Sequence, residues 1–236
     1  MDDVRVSRDL IYRTTGDGPL ALDLYLPSSD AAAPLVIVVH GGPIPPNLAT
    51  QPKDWAAFQS IGRLVAASGW VAAVFNHRYF GSDHLVDAVA DVEGVIDYLG
   101  DNAVQLGIDA HRLCVWVFSG AGRFVAPILR NRPQGLCGIV AYYPVLDADK
   151  HEYSAVRALT GVLDPLPPLL LARAGLEQNA WLQAGLDRFV IAAIEANLPI
   201  DVLNHPTGRH GFDVLDDGPR TRAILGRTIA FIRDLW

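Results

Sequence analysis

Cysteine, basic charge and long apolar runs are all scarce in this chain of 236 residues, and each shortage closes off a class of function. Only two cysteines are present, Cys114 and Cys137, both inside apolar, strand-like runs. Neither has a C-x-x-C partner or a histidine cluster beside it, which argues against zinc and for two reduced, buried thiols in a cytoplasmic protein. Lysine and arginine number 19 against 26 aspartates and glutamates, a formal net charge of −7. The basic residues are scattered, so neither nucleic acid nor an anionic membrane is an expected partner. No uninterrupted apolar run approaches the ~18 residues of a membrane span. The N-terminus, M-D-D-V-R-V-S-R-D-L, lacks the apolar core of a secretion signal.

What the chain does have is apolar content, 50% of its residues, enough for one large domain over residues 1–236 with a sizeable core. Segments 4–14 and 20–26, joined by T-G-D-G-P, read as an antiparallel hairpin at a sheet edge. P-L-V-I-V-V (34–39) is too uniformly apolar for a half-exposed strand and suits burial on both faces. Similar runs follow at 71–75, 113–118, 136–142, 169–173 and 200–203. The spacers carry helical periodicity: Val89, Val92, Ile96 and Leu99 form one stripe. Leu186, Phe189, Val190, Ala193 and Ile194 form a second, and Ile224, Thr228, Phe231 and Leu235 a third. Alternating strands and helices of this kind predict an α/β architecture with a mostly parallel, eight-stranded sheet flanked by helices. Residues 143–168 break the rhythm and read as a lid-like or cap insertion, or as packing.

Three loops carry chemistry. In W-V-F-S-G-A-G (116–122), Ser119 closes an apolar strand and opens a helical stretch, the setting of a nucleophile elbow, although G-x-S-x-G would place glycine at Val117 and Ala121. Ser119 also suits a helix N-cap. The second loop, His40-Gly41-Gly42-Pro43, follows the 34–39 strand. Its Gly41 and Gly42 N–H groups, with that of Gly120, suit an oxyanion hole; Pro43 has no N–H to offer. His40 reads as a brace for this loop. The third, N-H-P-T-G-R-H-G-F-D (204–213), offers His210 in a Gly-flanked position as the base that would activate Ser119; His205, beside Pro206, reads as structural.

Taken in order, H-G-G-P, D-V-E-G-V-I-D-Y-L, L-G-I-D-A-H-R-L-C-V-W-V-F-S-G-A-G, P-P-L-L-L-A-R-A-G-L-E and H-P-T-G-R-H-G-F resemble the α/β-hydrolase superfamily over about residues 5 to 236. Within it the chain is most similar to the dienelactone hydrolase and H-G-G esterase branches, and H-G-G-P is also similar to prolyl oligopeptidase-type catalytic domains. The resemblance implies the chain order nucleophile, acid, histidine, with Ser119 as nucleophile, His210 as base and Gly41, Gly42 and Gly120 around the oxyanion. It points to Glu177, after the 169–173 strand, as the acid, with Asp147 as runner-up. The implied activity is that of a serine carboxylesterase cleaving a small or medium ester or lactone through an acyl-enzyme. No metal or organic cofactor is implied. The alternative reading is a non-catalytic module that keeps the fold for ligand binding or interaction. Tyr142, Tyr143, Tyr153, Trp55 and Trp181 are candidate pocket walls. Oligomeric state is left open, a homodimer included.

Overall fold

The computed structural model describes residues 4–29, 31–148, 151–160 and 165–236. The strands are β1 (Arg5–Thr15), β2 (Gly18–Leu26), β3 (Ala33–Val39), β4 (Val71–Phe75), β5 (Ile108–Phe118), β6 (Leu136–Tyr142), β7 (Leu169–Ala174) and β8 (Ile200–His205). The helices are α1 (Ala56–Ala67), α2 (Leu85–Asp101), α3 (Ala103–Leu106), α4 (Val125–Asn131), α5 (Ala155–Ala158), α6 (Ala180–Glu195), α7 (Phe212–Leu215) and α8 (Pro219–Arg233). The strand order is β1-β2-β4-β3-β5-β6-β7-β8. The β1–β2 hairpin and the β2–β4 pair are antiparallel, whereas β3–β4, β6–β7 and β7–β8 are parallel. This is the expected eight-stranded, mostly parallel sheet of an α/β-hydrolase.

Two compact units make up the chain, one running to Val115 and including Gln134–Leu136, the other holding Trp116–Pro133 and Cys137–Trp236. In the first, β3 and β4 are buried at every position, as unbroken apolar strands covered on both faces must be. The helix between β4 and β5 buries Leu85, Ala88, Val92, Val95 and Leu99. The expected stripe is therefore rotated: Val92 and Leu99 belong to it, while Val89 and Ile96 are only half-buried. Asp91, on the same helix, is completely buried and pairs with Arg78. Arg78 donates through Nε at 3.0 Å and Nη2 at 2.9 Å, and its backbone N–H donates to the same carboxylate at 3.0 Å. A planar guanidinium matches a carboxylate in this forked manner, so the segment after β4 is clamped onto α2. β5 starts at Ile108, five residues before the apolar run suggests, because its opening residues Asp109, His111 and Arg112 are polar and not fully covered.

In the second unit, α6 buries Leu182, Gly185, Leu186, Phe189 and Ala193, but leaves Ile194 exposed and Val190 half-buried, against expectation. On α8, Ile224 and Thr228 face inward as expected, joined by Thr221 and Ile232, while Phe231 and Leu235 stay partly open. Cys114 is buried as expected, but Cys137 is only half-buried. Of the 143–168 insertion, residues 149–150 and 161–164 lie outside the described residues. Its first part, Tyr143, Pro144, Leu146 and Ala148, is buried interior, with Tyr153, Ser154 and Ala155 behind it.

Removing one partner of a buried ion pair strands the other charge. Asp91→Ala should lower the unfolding free energy by about 3 kcal/mol in urea denaturation, against a fraction of that for an exposed aspartate such as Asp217.

Candidate active site

Strand β5 runs out at Phe118, and the next residue, Ser119, has φ +50°. Left-handed backbone is uncommon away from glycine and lifts the side chain out of the strand line. A 3-10 turn over Ser119–Phe124 follows, and only then does α4 begin. Two contacts hold the turn. The Val145 N–H donates to the Ser119 carbonyl at 2.9 Å. At Gly122 an added Cβ would sit 2.6 Å from the Val145 nitrogen and 2.7 Å from its carbonyl oxygen. The crowding that G-x-S-x-G assigns to positions 117 and 121 thus falls on Gly122, and Val117 and Ala121 are simply buried.

Ser119 Oγ lies 2.6 Å from His210 Nε2, and His210 Nδ1 lies 2.5 Å from Glu177 Oε2. The chain of donors is fixed by chemistry: the hydroxyl donates to Nε2, and the Nδ1 N–H donates to the carboxylate. Glu177 sits in the turn between β7 and α6. Its Oε1 accepts the Asn179 N–H at 3.0 Å, and its backbone carbonyl accepts from Gln183 Nε2 at 2.7 Å. Asn179 in turn caps α6 by accepting the Trp181 and Leu182 N–H groups. The His210 side chain is 36% exposed and that of Glu177 only 6%, so the imidazole is open on one side while the carboxylate is screened from water.

Asp147 does not join this chain. Its carboxylate accepts from Ser154 Oγ at 2.8 Å and Arg188 Nε at 2.7 Å. Burial would raise its pKa, but those two partners hold the carboxyl below its ordinary value. It is a strut between the insertion and α6. His205 is also structural: it is buried, with Nε2 3.1 Å from Thr221 Oγ1 and 3.2 Å from the Asp216 carboxylate.

Within the first unit, the H-G-G loop rests on a second histidine that sequence reasoning passed over. His40 and His77 stack at 3.7 Å between ring centres and 10° between planes. The His77 Nε2 N–H donates to the His40 carbonyl at 3.0 Å, and the Tyr79 N–H donates to His77 Nδ1 at 3.3 Å. The His40 Nδ1 N–H donates to the Gly41 carbonyl at 2.7 Å, so His40 does brace the loop. Gly42, joined to Pro43 by a cis peptide, is a glycine because the Tyr79 ring would meet a Cβ at 2.4 Å. Burial pushes His77 down to about 4 and His40 well below the usual imidazole value, with each other's proximity adding to the effect on His40.

Of the candidate walls, Tyr142, Tyr143 and Tyr153 are buried, and Tyr142 is tied to Thr228 at 2.7 Å. Trp55 is half-buried and bonds the Thr50 carbonyl at 3.0 Å. Trp181 is 38% exposed, with the Arg123 guanidinium 5.6 Å from its ring centre. Among the described residues, no group of three or more His, Cys, Asp or Glu is arranged to hold a metal, and no helix is long and apolar enough to cross a membrane.

A family model described as BD-FAE matches residues 22–158. No curated protein matches the chain. Solved structures do. The native esterase Est2 of the Planctomycetes species Thermogutta terrifontis is 17% identical, with TM-score 0.78, covering 99% of this chain and 92% of that one. Esterase B of Lactobacillus Rhamnosis is 15% identical at TM-score 0.78, covering 99% and 86%. Thermogutta terrifontis esterase 2 phosphoramylated by tabun is 17% identical at TM-score 0.77, covering 98% and 96%.

Gly122→Ala should disturb the turn directly, since backbone atoms rather than a flexible side chain stand in the way; loss of stability by about 1–3 kcal/mol is the expected reading in thermal melts. The histidine pair sets a pH dependence. Both are neutral in the folded chain and, with depressed pKa values, bind fewer protons than when unfolded. Stability should therefore fall as pH drops from about 6.5 toward 4, by at most about 1.4 kcal/mol per pH unit for each histidine. Denaturant midpoints across that range check the slope, which His77→Gln should reduce.

Proposed function

The chain belongs to the BD-FAE family, an α/β-hydrolase-type esterase domain, and from that premise we propose a serine carboxylesterase that cleaves a small or medium ester or lactone through an acyl-enzyme. The observation that carries the proposal is the continuous path Ser119 Oγ, His210, Glu177, at 2.6 and 2.5 Å. A serine hydroxyl is a weak nucleophile until a base takes its proton. In this reading Ser119 Oγ attacks the ester carbonyl as its proton passes to His210 Nε2. Glu177 holds the imidazole in the required tautomer and stabilises the imidazolium. The collapsing tetrahedral adduct expels the alkoxide, which takes the proton from His210. Water then attacks the acyl-enzyme as one of its protons passes to His210, and the second adduct collapses to release the carboxylic acid while Ser119 Oγ takes that proton back from His210.

The oxyanion would be met by the Gly120 N–H and, on the argument from chain order alone, by those of Gly41 and Gly42. The reading takes residues 1–236 as one catalytic domain. Thermogutta terrifontis esterase 2 is phosphoramylated by tabun and phosphorylated by paraoxon, and is also known with propionate and butyrate bound. Its behaviour supports expecting organophosphate reactivity and short acyl chains here.

A fluorophosphonate probe should label Ser119, and Ser119→Ala should abolish both labelling and hydrolysis of p-nitrophenyl acyl esters. Unchanged hydrolysis by Ser119→Ala would sink the mechanism. Glu177→Gln should lower kcat by about 10³–10⁴-fold, whereas Asp147→Asn should leave kcat nearly unchanged; the reverse pattern would move the acid to Asp147.

A further inference from the structure

His210 is held at both ring nitrogens, yet two hydrogen bonds along one axis leave the ring free to tilt about that axis. Its loop is anchored at the buried Gly208, whose carbonyl accepts the Leu176 N–H at 2.9 Å, but Pro206, Thr207 and Arg209 are exposed and none of these restrains the ring's tilt. A third contact supplies the missing restraint. The Tyr143 ring lies against the imidazole, 4.6 Å between centres and inclined by 56°. Tyr143 follows β6 as Ser119 follows β5, and it too is left-handed, with φ +36°. An aromatic residue in that conformation is strained and persists only where its surroundings over-determine it. Here the Tyr143 N–H donates to the Ala172 carbonyl at 2.7 Å, and Phe118, Tyr142 and Phe212 surround its ring. Its hydroxyl donates to Asp213 Oδ1 at 2.5 Å.

Asp213 stands three residues beyond His210, in α7. Its neighbour Phe212 is fully buried against Tyr142, Tyr143 and His205, so α7 is fixed in place. Burial raises the Asp213 carboxyl, opposed by the bond from Tyr143, its own N–H and the charge of His210. An apolar side chain would avoid that desolvation. A carboxylate is useful there if it anchors Tyr143 and favours positive charge on His210.

We propose that Tyr143 and Asp213 form a positioning pair that sets the tilt of His210 and favours its protonated form during the reaction. The pair acts through His210, and the proposal rests on reading His210 as the general base. The groups that face the imidazole are Ser119 from the β5 end, Tyr143 from the β6 end, Glu177 from the β7 turn and Asp213 from α7, with Arg209 adjacent in the chain.

Three variants separate this role from a merely structural one. Tyr143→Phe keeps the ring but loses the bond, and should lower kcat about tenfold with KM changed less than about twofold. Asp213→Ala should do the same, and Asp213→Asn, whose amide oxygen still accepts from Tyr143, should recover most of that loss. Asp213→Asn also removes a negative charge that favours the imidazolium, so the acid limb of its kcat/KM profile should move to lower pH. Wild-type kcat in Tyr143→Phe, or an unmoved acid limb in Asp213→Asn, overturns the proposal. Fluorophosphonate labelling of wild-type protein runs alongside; absence of label at Ser119 would overturn the triad reading itself. Melting curves confirm that each variant is folded.

Discussion

The left-handed turn at Ser119 is the constraint on which the site geometry depends. A serine continuing β5 or sitting inside α4 would point along the sheet or into the interior. With φ at +50° its hydroxyl instead meets His210 Nε2. That conformation is disfavoured for any residue with a Cβ, so it has to be imposed from outside. The segment after β6 imposes it: the Val145 N–H caps the Ser119 carbonyl, and the Pro144–Val145 backbone fills the space that only Gly122 leaves open. The same segment begins with Tyr143, which lies against His210. One short stretch of buried chain therefore fixes both ends of the 2.6 Å contact.

The electrostatics divide in two. Around His210 the imidazole is half-open, Glu177 is screened from water and Asp213 is half-buried. Around His40 and His77 both rings are buried, stacked and kept neutral, with His40 Nδ1 and His77 Nε2 donating to backbone carbonyls. Identical side chains are thus half-open to water in one place and sealed into scaffolding in another. The Arg78–Asp91 clamp belongs to the scaffolding, because it fixes the His77–Tyr79 segment against α2.

Most of the fold was legible in the sequence, because each core strand announced itself as a short apolar run with turn residues on either side. The opening of β5 was hidden by polar residues in a partly exposed strand. The stripe on α2 was misplaced because two adjacent apolar rows compete there, and only tertiary contact selects Ala88 and Val95 over Val89 and Ile96. Ser119, Glu177 and His210 could be named because each ends a strand or fills a loop at the right point in chain order. Tyr143 with Asp213, His77 beneath His40, and Gly122 against Val145 could not. These pairs lie 70, 37 and 23 residues apart, and contacts between distant segments leave no periodic trace.

Ser119, Tyr143 and Glu177 each stand just beyond the carboxyl end of a strand, and His210 follows the last one. Neighbouring strands are about 4.8 Å apart, and each added residue lengthens a strand by about 3.3 Å. The sheet thus acts as a ruler whose divisions are fixed by backbone hydrogen bonding. The segments between those points return the chain from one strand end to the next. A single residue gained or lost at a strand end would shift the side chain standing there by more than the length of a hydrogen bond.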